Sequence, residues 1–440
     1  MQTLAFSEYG ERRARLLAAL GEDGVALIPA AEPSLRNRDV DFYFRQDSDF
    51  YYLTGFAEPY AWLVLLPGRQ EGQVVMFCQP RDKEREIWDG YRAGPEGCME
   101  RFGADQAFNL DQLDSQLPQL LANRQRLYVD LGQQPERDKR VLSWLQQTAA
   151  LARQGMTAPQ QIQSLASILH EMRLFKSAAE IEMMRAAGQL SALGHRAAMQ
   201  QCRPGMWEYQ LEAAINHVFM QHGSRWPAYN AIVGGGANAC VLHYNDNNRP
   251  LQEGDLVLID AGCELDYYAG DITRTFPVNG RFSAEQRALY EVVLHAQRAC
   301  IELVRPGTPW DQVHEASTRL LTEGLLALGL LQGELNELVE TGAYKRFYMH
   351  RIGHWLGMDV HDVGSYRQAN GAWRELAAGM VMTVEPGLYI APDDESVAPR
   401  WRGLGIRIED DVLVTAEGPE VLTAAVPTAI DEIEALMQGG

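Results

Sequence analysis

The chain has 440 residues, of which 46% are apolar, and a formal charge of −20 at pH 7. That length exceeds one ordinary domain and suits two, with apolar residues enough for a large core. So acidic a chain is a poor non-specific binder of nucleic acid or anionic membrane, and no run of about 18 apolar residues is present to span a bilayer.

The first predicted element is an Arg-rich amphipathic helix over 7–20, with Leu16, Leu17 and Leu20 on one side. No signal-like apolar run follows Met1, and Val25–Pro29 reads as a short strand. The segment 39–56 is crowded with aromatics and acids. Buried strands are expected at 61–67, 74–78 and 127–130, separated by helical patches near 82–90, 108–122 and 136–150. This alternation predicts a small α/β domain over residues 1–173. The six cysteines (Cys78, Cys98, Cys202, Cys240, Cys263, Cys300) are scattered without CxxC spacing. They read as reduced thiols of a cytoplasmic protein.

A polar connection over 153–160 precedes a helix expected at 161–173. Ser177-Ala-Ala-Glu180 is a capping box that opens a long helix to about Gln200. A second domain, residues 174–440, is therefore placed from just before this cap. Further helices are expected at 206–222, 283–304 and 310–328, backing a strand-rich core of α+β type. A faint internal repeat runs through it. Gly254 to Gly262 and Gly379 to Gly387 each read as a glycine, an apolar strand, an acid six residues on and a glycine two beyond. The repeat pairs Asp260 with Glu385.

Leu256, Leu258 and Asp260 share one face of a period-2 strand, and so do Asp271, Thr273 and Thr275. A carboxylate turned inward on a strand must be paired, protonated or bound to a cation, because burying it alone is too costly. Thr383-Val-Glu-Pro-Gly387 supplies Glu385, and Gly405-Ile-Arg-Ile-Glu-Asp-Asp411 supplies Glu409, with Arg407 two residues earlier on the same strand face. His350, His354 and His361 come from Met349-His-Arg-Ile-Gly-His-Trp-Leu-Gly357 and the following Val360-His-Asp362. Four carboxylates and an imidazole form a hard, oxygen-rich set that suits manganese or a similar divalent ion. Bridging carboxylates can hold two such ions about 3–4 Å apart, which polarises a carbonyl and generates a hydroxide at neutral pH.

These segments resemble the signatures of the pita-bread metallopeptidases, and the likeness covers essentially residues 174–436. The first domain is similar to the one that accompanies Xaa-Pro-specific members, through Arg45 to Phe56 and Glu86-Ile-Trp88. With both domains present, the chain resembles the bacterial aminopeptidase P (Xaa-Pro aminopeptidase) branch of that family. The resemblance implies a dinuclear manganese site, two Mn2+ per subunit with other divalent ions possible. Its ligands would be Asp260, Asp271, His354, Glu385 and Glu409, with Asp271 and Glu409 bridging. It implies a metal-held hydroxide whose proton Glu385 manages, and His361 as donor to the oxyanion. His243 and His350 would grip the proline side, and Arg407 would hold ligands and substrate in place. Tyr389, Asp39, Trp88, Tyr229 and Arg153 would narrow the cleft, some of them from a neighbouring subunit. An arginine of the 365–374 loop, Arg367 or Arg374, would meet the leaving peptide.

The implied activity is release of the first residue from peptides with proline second, by a cytoplasmic homodimer or homotetramer. A bond to proline lacks an N–H, so an enzyme cutting it needs a ring pocket and direct polarisation of the carbonyl. The alternatives are a prolidase acting on Xaa-Pro dipeptides and a non-catalytic pita-bread module that binds peptide.

Overall fold

The computed structural model describes residues 4–439; residues 1–3 and 440 of the two expected domains lie outside it. The chain divides into two compact units, one over Leu4–Glu171 and the other from Met172 onward.

The first unit is built on a six-stranded mixed sheet. Its order is Gln106–Asn109, Val74–Cys78, Trp62–Leu65, Gly24–Pro29, Arg126–Tyr128, Gln161–Gln163. The central Gly24–Pro29 strand pairs antiparallel with Trp62–Leu65 and parallel with Arg126–Tyr128. Leu27, Val64, Val75, Leu113, Leu117 and Trp144 pack in its core, where the Trp62 and Trp144 rings meet edge to face at 5.2 Å.

Two expectations fail here. Residues 108–109, at the end of the Gln106–Asn109 strand, and 161–163 are in strands where helix was expected, and the α-helices start later, at Leu113 and Ala166. Both stretches are short and rich in polar side chains, so the leucine spacing beyond them dominated the sequence pattern. The Phe6–Leu20 helix also buries two of its arginines. Arg12 donates to the Tyr52 carbonyl at 3.1 Å and lies 4.1 Å from the Tyr52 ring centroid. Arg13 donates to the Leu53 carbonyl at 2.7 Å. Together they satisfy carbonyls near the end of the Ser48–Thr54 helix.

The second unit repeats one plan twice. Helices Ala178–Gln201 and Glu208–Gln221 pack as a pair, and so do Ala284–Ile301 and Trp310–Ala327. The expected capping box forms: the Glu180 N–H donates to Ser177 Oγ at 3.3 Å and the Ser177 N–H to Glu180 Oε2 at 3.0 Å. One three-stranded antiparallel sheet orders Ile232–Gly235, Leu256–Asp260, Thr273–Pro277, and the other orders Val381–Val384, Asp410–Val414, Pro419–Val421. Gly387–Tyr389 and Gly405–Arg407 pair beside them. The two repeats meet at a bridge between Thr273 and Glu409, where the Glu409 N–H donates to the Thr273 carbonyl at 3.1 Å. This is the α+β pita-bread arrangement, with an α/β unit before it. Among the described residues no helix is long and apolar enough to cross a membrane.

Candidate metal centre

The strand ends bring the acids together. Asp260 closes the Leu256–Asp260 strand and stands opposite Thr273 in register. Asp271 enters two residues before Thr273, so the carboxylates approach from neighbouring strands. Glu385 follows Val381–Val384, and its N–H donates to the Ile352 carbonyl at 2.8 Å. Glu409 immediately precedes Asp410–Val414. His354 is clamped to the Val381–Val384 strand: its N–H donates to Thr383 Oγ1, and the Thr383 N–H donates back to its carbonyl, both at 3.0 Å. The preceding glycine permits this approach. A Cβ on Gly353 would lie 2.0 Å from the Thr383 carbonyl oxygen.

Asp271, His354 and Glu409 each present a ligand atom, and the three atoms lie within 4.8 Å of one another. The remaining contacts orient them. His354 Nδ1 faces the Trp355 carbonyl at 3.0 Å, which assigns the proton to Nδ1. Its Nε2 is therefore left toward Asp271 Oδ2 at 3.4 Å and Glu385 Oε1 at 3.7 Å. Glu409 Oε2 accepts from the Thr273 hydroxyl at 2.6 Å. The Tyr229 hydroxyl meets Asp260 Oδ1 at 2.6 Å and also Asp271 Oδ1. One proton cannot serve two carboxylates, so one of them must hold a proton or face a cation.

Electrostatics lead to the same conclusion. Burial pushes Asp271, Glu385 and Glu409 upward, and their mutual repulsion adds to the shift; Glu385 reaches about 7. For His354, burial opposes the charged form, yet Asp271 and Glu385 outweigh it and raise the imidazole to about 9. Arg407 and a protonated His354 carry two positive charges against four acids, and a divalent cation in place of the imidazole proton would narrow the difference. Oxygen donors, an imidazole with a fixed tautomer and partners behind them fit such an ion.

Behind the acids runs an ordered chain of hydrogen bonds. Arg407 Nη2 donates to Asp260 Oδ2 at 2.6 Å, Nε to Thr273 Oγ1 at 3.0 Å and Nη1 to the Tyr389 hydroxyl at 3.0 Å. That hydroxyl lies 2.9 Å from His350 Nε2, while His350 Nδ1 faces the Arg351 carbonyl at 2.7 Å. With Nδ1 protonated, the Tyr389 hydroxyl donates to Nε2. Burial holds His350 down at about 3, so it is neutral here.

Ten of the residues singled out in the sequence line one cavity of about 560 Å³: Asp260, Asp271, His354, Glu385, Glu409, Arg407, His243, His350, His361 and Tyr229. The His361 ring stands edge-on to His354 at 4.2 Å. Tyr389 is buried behind the wall, on Arg407 and His350. Asp39 and Trp88 belong to the other unit: Asp39 is exposed in a turn, and Trp88 is exposed on the Lys83–Asp89 helix. Sequence reasoning missed Asp411. It is buried, accepts the Asp271 N–H at 3.1 Å, and leaves Oδ1 without a partner among the described residues. The signal was available, because Asp411 lies two residues beyond Glu409 and so shares its strand face.

Residues 182–416 match the profile of Metallopeptidase family M24, and residues 9–128 match that of the Aminopeptidase P N-terminal domain. An Escherichia coli (strain K12) protein named Xaa-Pro aminopeptidase is 46% identical over 438 residues, covering 99% of both chains. The solved structure of the Pseudomonas aeruginosa aminopeptidase PepP is similar, with TM-score 0.98 and 53% identity, covering 100% of this chain and 99% of that one. A zinc-substituted E. coli aminopeptidase P in complex with product gives TM-score 0.96 and 46% identity, covering 100% of this chain and 99% of that one. The chain belongs to metallopeptidase family M24.

Proposed function

We propose that this M24 chain is a manganese-dependent Xaa-Pro aminopeptidase, releasing the first residue from peptides with proline in second place. The observation that carries the reading is the cluster of Asp271, His354 and Glu409, whose ligand atoms lie within 4.8 Å of one another in a cavity of about 560 Å³ also lined by Asp260, Glu385, a neutral His350 and Arg407. The names of full-length relatives at 46% identity support the substrate class.

Asp260, Asp271, His354, Glu385 and Glu409 would hold two Mn2+ ions. Bound there, the ions would polarise the scissile carbonyl and supply a hydroxide nucleophile at neutral pH. Glu385 would take and return the nucleophile's proton. His361 donates to the carbonyl oxygen as its charge develops. His243 and His350 hold the proline side, and Tyr389 keeps His350 and Arg407 in register. Arg407 keeps Asp260 oriented. Asp39 and Trp88 contribute substrate contacts, some across a subunit boundary in a homodimer or homotetramer. The domains run over 1–173 and 174–440, and the enzyme works in the cytoplasm.

The test is product analysis on Ala-Pro-Ala and longer Xaa-Pro peptides, after chelation and again with Mn2+ restored. Release of free alanine only with metal is the expected result. Cleavage confined to Xaa-Pro dipeptides would make the chain a prolidase instead, and metal binding without cleavage would make it a peptide-binding platform.

A further inference from the structure

Two side chains lining the cavity carry a permanent positive charge, Arg351 and Arg407. Arg407 is fully engaged with Asp260, Thr273 and Tyr389. Arg351 is not. Among the described residues its guanidinium has no hydrogen bond and no ion pair, and its recorded contact is the Trp373 ring, 6.0 Å from the centroid. Its side chain is exposed, whereas its backbone is fixed by the bond between its carbonyl and His350 Nδ1. Three residues later the chain delivers His354 to the donor set.

The two arginines left open by the sequence are occupied within their own loop. Arg367 lies 3.7 Å from the Trp373 ring centroid, and its Nη1 donates to the Gly371 carbonyl at 2.7 Å. Arg374 Nε donates to the Ser365 carbonyl at 2.8 Å. Neither is among the described cavity-lining residues.

A peptide entering the cavity brings a free amine at one end and a carboxylate at the other. The carboxylate side chains of the donor set favour the amine at their own end and leave the carboxylate to a cationic group elsewhere on the cavity wall. The unengaged guanidinium has the planar fork that matches a carboxylate with two parallel hydrogen bonds. Resting on the peptidase reading above, we propose that Arg351 recognises a carboxylate on the leaving side of the peptide and so sets specificity there. The carboxylate comes from the C-terminus of a short substrate or from an acidic side chain at that position.

The test compares binding of the product-like dipeptide Pro-Ala, its C-terminal amide and the amide of Pro-Asp. Each is titrated by calorimetry into wild type, R351A and R351K loaded with Mn2+. Charge-assisted hydrogen bonds at a solvent-facing site predict that wild type binds Pro-Ala about tenfold tighter than its amide. The ratio should fall to near one in R351A and recover in part in R351K. Tight binding of Pro-Asp amide that depends on Arg351 identifies the side chain as a second source of the carboxylate. Equal binding of acid and amide by wild type, or an unchanged ratio in R351A, would overturn the proposal. A merely structural role would weaken all three ligands alike and leave the ratio intact. Binding is read without turnover, so failure to cleave Ala-Pro-Ala would count against the peptidase reading alone.

Discussion

Arg407 and Asp260, 147 residues apart in sequence, are joined by a 2.6 Å bond from Nη2 to Oδ2. The arginine is 4% exposed, and the pair ties the second repeat to the first. Removing the guanidinium would leave a carboxylate without its partner and the Tyr389 hydroxyl without a donor. Arg407→Ala should therefore lower kcat/KM by about 100-fold or more, the equivalent of about 3 kcal/mol. Arg407→Lys restores one charge but not three directed contacts, so it should recover only part. Wild-type rates in the alanine variant would remove Arg407 from the site.

Cations should stabilise the fold as well as activate it. A ligand that binds only the folded state adds about 2.7 kcal/mol at 100 times its Kd. The unfolding midpoint of chelated protein should therefore rise steadily with added Mn2+. Asp271→Ala, which removes a donor central to the cluster, should blunt that rise. A midpoint indifferent to metal, measured alongside metal content, would contradict the cation site.

The protein's own charges also fix a pH dependence for chelated material. Glu385 is raised from 4.5 to about 7, mainly by burial. Its contribution to stability is full below pH 4.5 and is lost as pH climbs through about 7. His354 is raised from 6.5 to about 9, where burial is outweighed by Asp271 and Glu385. Its contribution is full below pH 6.5 and is lost by about 9. Chelated protein should accordingly weaken from pH 5 to pH 9 in urea titrations. Manganese should restore more at the alkaline end, because its ligands bind deprotonated. A flat or rising profile for chelated protein would refute this.

A separate ionic cluster holds the loop that carries His361. Asp362 accepts from Arg173 at 2.6 Å and from Lys176 at 3.0 Å, and the side chains of all three are nearly inaccessible. Burial alone would raise Asp362, but Lys176 and Arg173 hold it below the ordinary range. Lys176→Met should cost about 3 kcal/mol in chemical unfolding, since it removes one of the two cations, Lys176 and Arg173, that compensate a buried carboxylate. Adding Asp362→Asn should cost less than the sum of the two singles. Additive losses would mean the two residues are not coupled.

The acids of the site were legible because strand periodicity leaves a charged residue on an inner face with little alternative to a cation. That periodicity singled out Asp260 and Asp271 from their neighbours, whereas Glu385 came through the internal repeat and Glu409 through its place two residues after Arg407. The same periodicity applies equally to Asp411, the neighbour of Asp410, which was passed over. Asp410 is in fact spent on Arg274 at 2.7 Å. Partners distant in sequence were not legible: nothing local marks Lys176 or Arg173 as the counterions of Asp362. The first helix was read only as Arg-rich and amphipathic, and nothing local shows that its Arg12 and Arg13 turn inward toward carbonyls some forty residues away. Short parallel strands such as Gln161–Gln163 owe their form to a neighbour's backbone, and local composition carries no trace of that.

The contact between Thr273 and Glu409 fixes where the chain can be divided. Asp260 and Asp271 lie on one side of it in sequence, and His354, Glu385 and Glu409 lie on the other. A break engineered into the segment between Ile301 and Trp310 would give two fragments, each with part of the coordination shell and an uncovered sheet end. Neither fragment alone should retain the ion, whereas the mixture should recapture it as the fragments reassociate, making metal uptake a direct gauge of complementation.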